Sequence, residues 1–182
     1  MKAVNLQSFD NSCYKPGSFF KRFCWYCTNE IFFRNRFFLS SKIKILFLKL
    51  FGARIGVNVI LKPGLNIKFP WNLSIGNNCW IGENVWIDNL AYVKLGNNVC
   101  LSQGSMLICG NHNYKKSTFD LIVKPIYIED GAWIGAKSIV CPGITIKSHS
   151  ILTVGSVATN DLDSFGIYKG NPAKKYKLRV IE

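Results

Sequence analysis

An aliphatic residue returns at every sixth position through most of residues 55–152. Ile75, Ile81 and Ile87 are six apart, as are Leu95, Leu101 and Leu107, and Ile128, Ile134, Val140, Ile146 and Leu152 resume the series. Ile55, Leu61 and Ile67 begin it, with slips of two residues before Ile75 and again between Ile87 and Leu95. A helix would repeat near 3.6 residues and an alternating strand at 2, so neither explains a period of six. A second, smaller residue falls four positions after the first: Cys79, Val85, Ala91, Val99, Ser105, Ala132, Ser138, Ser150 and Ser156. One large and one small inward residue per six suits a short strand followed by a tight corner. Three such units close one coil of a triangular, all-β solenoid. Asn58, Asn77-Asn78, Asn97-Asn98 and the recurring glycines supply corner residues that tolerate positive φ. Residues 55–160 then amount to about five coils once the loop 109–126 is set aside.

The flanks do not repeat. Residues 1–54 form a helical segment, with helices expected over Ser18 to Phe38 and Ser41 to Phe51. In "SKIKILFLKLF", Ile43, Leu46, Phe47 and Leu50 share a helix face, Ser40 or Ser41 is the N-cap, and Gly52 ends the run. Such helices suit a cap over the open solenoid end, which would otherwise expose strand edges and core. Lys42, Lys44 and Lys49 beside apolar residues equally suit contact with a membrane surface, and the two roles are compatible. Residues 161–182 read as a C-terminal tail, in which Lys174, Lys175, Lys177 and Arg179 form a basic cluster. That cluster is either solvated or a phosphate site.

Charge narrows the partners. With 23 Lys+Arg against 10 Asp+Glu, the 182-residue chain carries +13 and favours anionic ligands. No nucleic-acid reader motif accompanies the charge, so nucleic acid is not expected. Residues 1–10 lack a basic head followed by an apolar run, and Phe19 to Leu39 is interrupted by Lys21, Arg22, Glu30, Arg34 and Arg36. A cytoplasmic protein is expected, with peripheral contact at the inner face of the membrane left open. The seven cysteines fit free thiols, and the Cys24–Cys27 CxxC pair has no second pair to make a metal or redox site.

The long interruption, "ICGNHNYKKSTFDLIVKPI", holds His112, one of two histidines. It is a polar, basic loop protruding from a regular array. Neutral imidazole suits a general base because its unperturbed pKa lies near 6.5. Asn111 and Asn113 flank it as candidates for orienting the ring and binding hydroxyls. His149 falls at a coil corner and is expected to be a solvated surface residue.

Several stretches together resemble one family. They are "DNSCYKPG", "FGARIG", "PWNLSIGNNCWIGENVWID", "LSQGSMLICGNHNY", "KPIYIEDGAWIGAKSIVCPGITI" and "GNPAKK". The combination, spanning about Asp10 to Arg179, resembles the colanic-acid-type exopolysaccharide O-acetyltransferases of the hexapeptide acetyltransferase superfamily. That resemblance implies a left-handed parallel β-helix and a homotrimer with its active site between neighbouring subunits. It further implies transfer of an acetyl group from acetyl-CoA to a sugar hydroxyl, on a sugar or lipid-linked glycan acceptor, with His112 as base. Asn84 matches a substrate-contacting asparagine by its spacing before Leu95-Gly96, and equally fits a corner asparagine. Trp133, Gly135 and Ala136, then Gly155, Ser156 and Thr159, would line the pantetheine channel. Lys174 and Lys175 would meet the phosphates or adenine end of CoA. Two departures stand out: Thr153-Val154 replaces the usual small pair of "GAGS", and Asn113 replaces an acidic residue after the histidine. The second departure leaves open what fixes the imidazole tautomer, a role a backbone carbonyl could fill.

Rival readings on this fold fare less well. Zinc hydration catalysis needs three protein ligands, and two histidines with one in a loop do not supply them, so no metal is expected. An acetyltransferase for another acceptor, such as an antibiotic or small oligosaccharide, and a non-catalytic scaffold remain the alternatives.

Overall fold

The computed structural model describes residues 3–182. Strands of two to four residues wind into three parallel sheets, the faces of a triangular prism. The first face stacks Arg54–Ile55, Leu73–Ile75, Val93–Leu95, Ile126–Ile128 and Thr145–Ile146. The second stacks Ile60–Leu61, Trp80–Ile81, Cys100–Leu101, Trp133–Ile134, Ile151–Leu152 and Gly166–Lys169. The third holds Asn66–Ile67, Trp86–Asp88, Met106–Ile108, Ile139–Val140 and Val157–Ala158. The chain visits the faces in that order and winds left-handed, completing five coils and starting a sixth.

Residues of the six-residue series stack in register. Leu61, Ile81, Leu101, Ile134 and Leu152 form one inward column on the second face, each at most 1% exposed. Each such side chain contributes about 1.5–3 kcal/mol of burial. Glycine follows the aliphatic residue because the next coil lies directly against it. A Cβ on Gly135 would meet the Val154 nitrogen at 2.6 Å. Corner residues take left-handed backbone, Asn58, Asn78 and Asn98 at one edge and Gly64, Asn84 and Gly104 at the next.

All three irregularities fall at the edge between the third and first faces. The first slip is the single turn of 3-10 helix Pro70–Asn72. The second is organised by buried Asn89, whose carboxamide accepts from the Phe69 N–H (2.9 Å) and donates to the Phe69 carbonyl (2.6 Å). This insertion moves the inward position from Ala91, which is only half-buried, to Val93, which is sealed. The loop leaves the prism at this same edge one coil later.

The helices cover the first coil. The first, α1 (Phe19–Thr28), is capped by Ser18 and runs into a wider π turn, Asn29–Phe33. The expected helix to Phe38 therefore stops short at Phe33, and its wider turn begins at buried Asn29, whose side chain reaches Asn66 and the Ile67 N–H. The second, α2 (Ser41–Leu50), starts at Ser40, whose hydroxyl accepts from the Ile43 N–H. Trp25 Nε1 donates to the Ile67 carbonyl at 2.7 Å, and Ser41 Oγ both donates to and accepts from Leu61. Lys44, fully buried, donates to the Lys62 carbonyl at 3.1 Å, and burial holds its ammonium below the usual lysine pKa. Side chains thus satisfy the strand edges that a bare solenoid end would leave open.

The C-terminal residues are not a loose tail. Leu162 bridges to Ile146, Gly166–Lys169 adds to the second face, and Lys174–Leu178 folds back antiparallel on it. Arg179 donates to the Gly131 and His149 carbonyls, tying the last hairpin across two coils. His149 sits at its corner with φ 59°, yet it is half-buried rather than solvated, stacked on Phe165 at 4.8 Å.

Candidate active site

The loop carries its own hairpin. Gly110–His112 pairs antiparallel with Leu121–Val123, placing His112 opposite Leu121. His112 Nδ1 lies 2.8 Å from the Phe119 carbonyl oxygen. A carbonyl can only accept, so Nδ1 carries the proton and the neutral ring keeps its lone pair on Nε2. The Phe119 ring stacks on the imidazole at 4.3 Å, 5° from parallel, and Phe9 packs against it at 5.7 Å. Phe119 holds a φ of 52°, a region costing a non-glycine residue about 1–2 kcal/mol. That strain presents its carbonyl and its ring to one histidine.

The flanking asparagines serve the backbone. Asn111 Oδ1 accepts from the His112 N–H at 2.8 Å, and Asn113 Oδ1 accepts from the Lys115 N–H at 3.1 Å. Their carbonyl oxygens are thus occupied, which leaves the amide nitrogens for a hydroxyl. The N-terminal segment fastens the loop from outside, where the Asn5 N–H donates to the Ser117 carbonyl, and Tyr14 OH ties the same segment to the second slip by donating to the Leu90 carbonyl at 2.7 Å. Desolvation, and then the nearby Asp88 charge, push the Tyr14 phenol up to about 12, so it stays a neutral donor. The sequence offered no signal for Phe9 or Phe119 as partners of the ring, since neither is near His112 in a repeat register.

The second face carries a groove. Trp133, Gly135, Ala136, Ile151, Thr153 and Val154 line a cavity of about 350 Å³, with Ser102 and Gln103 from the coil below. Ser102 and Gln103 also line a neighbouring cavity of about 390 Å³ beside Trp80 and Cys100, so the two run along the coil axis. Trp133 is 45% exposed and is held upright by an Nε1 hydrogen bond to Ser102 Oγ at 2.8 Å. Three of the expected cofactor residues, Trp133, Gly135 and Ala136, are therefore together. Thr153 and Val154, the departures from the family pattern, lie in the same groove, with Val154 71% exposed at its mouth. Ser102 was legible in principle, because registering Leu101 on Ile134 puts it beneath Gly135.

Other expected residues stand elsewhere. Ser156 does not face a ligand: it is 2% exposed, accepts from the Gly170 N–H at 2.9 Å and pairs with Thr153 Oγ1. It is a small inward residue of the repeat. Gly135 lines the groove only through its backbone, being a glycine for coil stacking. Gly155 is a corner glycine at φ 66° with open space around it, and Thr159 is exposed beyond the third face. Lys174 and Lys175 are exposed on the antiparallel strand beside the second face, Lys175 lying 3.5 Å from Asp163. Asn84 is exposed at the corner between the second and third faces with φ 56°.

His112 and the groove are on opposite sides of one chain. His112 leaves the edge between the third and first faces, while Trp133 and Val154 are on the second face. In a triangular prism that edge is opposite that face. The order of the faces thus separates the His112 hairpin from the groove within one chain.

No family model matches the chain. Among curated proteins, the putative colanic acid biosynthesis acetyltransferase WcaF of Escherichia coli K12 is 30% identical over 158 residues, covering 87% of this chain and 81% of that protein. Among solved structures, a galactoside acetyltransferase in complex with coenzyme A aligns with TM-score 0.79 at 23% identity, covering 93% of this chain and 85% of the other. A hexapeptide-repeat acetyltransferase from Vibrio cholerae, complexed with acetyl coenzyme A, aligns with TM-score 0.72 at 23% identity over 79% of this chain and 80% of the other.

Proposed function

Because the chain belongs to the WcaF-like family of colanic-acid-type hexapeptide-repeat acetyltransferases, we propose that it transfers an acetyl group from acetyl-CoA to a sugar hydroxyl in bacterial surface polysaccharide assembly. The single observation that carries this reading is the pairing of His112 with the Phe119 carbonyl, which leaves Nε2 as a base on a loop outside the solenoid. The donor supplies an acetyl thioester. The groove between Trp133 and Val154 is narrow and largely apolar, as a pantetheine arm requires, and Lys174 and Lys175 stand beside that face for its phosphates.

His112 Nε2 accepts the proton of the acceptor hydroxyl as that oxygen attacks the acetyl carbonyl carbon. The carbon–sulfur bond breaks, and the imidazolium returns the proton to the departing thiolate. Direct transfer in one ternary complex suffices, so most of the acceleration comes from holding hydroxyl and thioester together. A backbone N–H or Asn84 steadies the developing oxyanion or holds the acceptor, while the amide nitrogens of Asn111 and Asn113 are placed for acceptor hydroxyls. A homotrimer completes each site with the groove of one subunit and the loop of the next. Cytoplasmic acetyl-CoA puts the reaction on the inner side of the membrane, where a sugar or lipid-linked glycan acceptor is assembled.

Calorimetric titration with acetyl-CoA, run on wild type and His112→Ala, tests the reading. Both proteins are expected to bind, with mass spectrometry detecting acetylated sugar from the wild type alone. Failure of both to bind acetyl-CoA or a longer acyl-CoA would remove the transferase reading.

A further inference from the structure

The helical cap carries large apolar side chains on its outer side. Phe19, Phe20, Phe23, Phe37, Leu46 and Leu50 are all between 55% and 94% exposed. On α1 the buried Trp25 faces the first coil, and Phe20 and Phe23 lie on the other side of the helix. On α2 the buried pair Lys44 and Leu48 faces the coil, and Ile43, Leu46 and Leu50, at spacings of three and four, face away. Soluble proteins rarely expose this many large apolar side chains on two adjacent helices. Neither helix is long enough to span a bilayer, and no described helix is a candidate span.

The charge around the patch selects its occupant. Lys15, Arg22, Arg36, Lys42 and Lys49 are exposed along the same segment, and Glu30, its one acidic residue, is paired with Arg34. Around the helix, Lys42 and Lys49 border the Leu46–Leu50 stripe on one side, the arrangement of a helix lying in a lipid interface. A second copy docked patch to patch would set these cations against one another. An anionic lipid surface attracts them while taking up the aromatic and aliphatic side chains.

We infer that the outer face of α1 and α2 docks this protein on an anionic phospholipid surface, with the solenoid standing away from it. The inference stands apart from the transferase reading, because lipid binding is read without any turnover.

The test is flotation of the purified full-length protein with vesicles of phosphatidylcholine, alone or mixed with phosphatidylglycerol. Two double variants run alongside: Phe20→Ser with Leu46→Ser, and Lys42→Glu with Lys49→Glu. All four positions are solvent-facing, and circular dichroism checks the fold. Wild type is expected on the mixed vesicles, at least about tenfold more weakly on phosphatidylcholine alone, with both variants about tenfold weaker than wild type on the mixed vesicles. Absence of wild type from the mixed vesicles, or undiminished binding by a folded variant, overturns the proposal. Should the serine variant fail to fold, the charge variant alone decides. A smaller oligomer for the serine variant in sedimentation, with vesicle binding unchanged, would assign the face to contacts between copies and overturn it equally.

Discussion

At the residue scale, the imidazole of His112 is fixed by a backbone carbonyl, so no neighbouring side chain has to supply its orientation. Replacing it by alanine is expected to cut turnover by about 10²–10⁴ while leaving acetyl-CoA affinity unchanged, measured by stopped-time mass spectrometry and calorimetry. Asn84 separates two roles. Its φ of 56° is comfortable for asparagine or glycine and costs alanine about 1 kcal/mol. Asn84→Gly is therefore expected to keep its denaturation midpoint and lose transfer if the carboxamide meets substrate; Asn84→Ala is expected to lose both. Full activity in Asn84→Gly would return this residue to a corner role. His112 stood out as a candidate because its loop interrupts a repeat. Its partner did not, since Phe119 reaches it through backbone and stacking, which leave no mark in spacing. Ser156 misled for the converse reason: a small residue beside a glycine looks the same whether it faces a cofactor or the next coil.

At the element scale, the six-residue period dictated nearly everything about the coils, and its slips marked the edge from which the loop departs. What the period did not contain was the price of each insertion in hydrogen bonds. Asn89 closes the second slip by satisfying both polar groups of Phe69, so Asn89→Ala is expected to lower stability by about 3 kcal/mol in urea titration. Gly135→Ala drives a methyl against the Val154 nitrogen and is expected to cost about 1–3 kcal/mol. The first helix widens into a π turn at Asn29, whose side chain serves the strand edge beneath it, and ends at Phe33 rather than Phe38. The cap also gives the fold a pH dependence. Burial lowers the folded-state pKa of Lys44 from 10.5, so the unfolded chain binds that proton more tightly. Stability therefore rises with pH between the lowered folded value and 10.5, and is at its least from this group below that window. Lys44→Met is expected to abolish the rise, read as urea midpoints compared across alkaline buffers.

At the scale of the whole molecule, the proposed base and the proposed donor groove do not face each other within one chain. The hairpin of His112 belongs to one edge of the prism and the groove of Trp133 and Val154 to the opposite face. The expectation of an intersubunit site came only from resemblance, since a period fixes the coil and says nothing of which corner meets which neighbour. Mixed assemblies offer the most direct measurement. His112→Ala lacks the base, and Val154→Trp fills the mouth of the groove at a position 71% exposed. Each protein alone is expected to be inactive. Unfolded and refolded together in equal amounts, they are expected to recover about a quarter of wild-type activity, because about one interface in four pairs an intact loop with an intact groove. No recovery, from mixed assemblies shown to form, would contradict a site built between two copies.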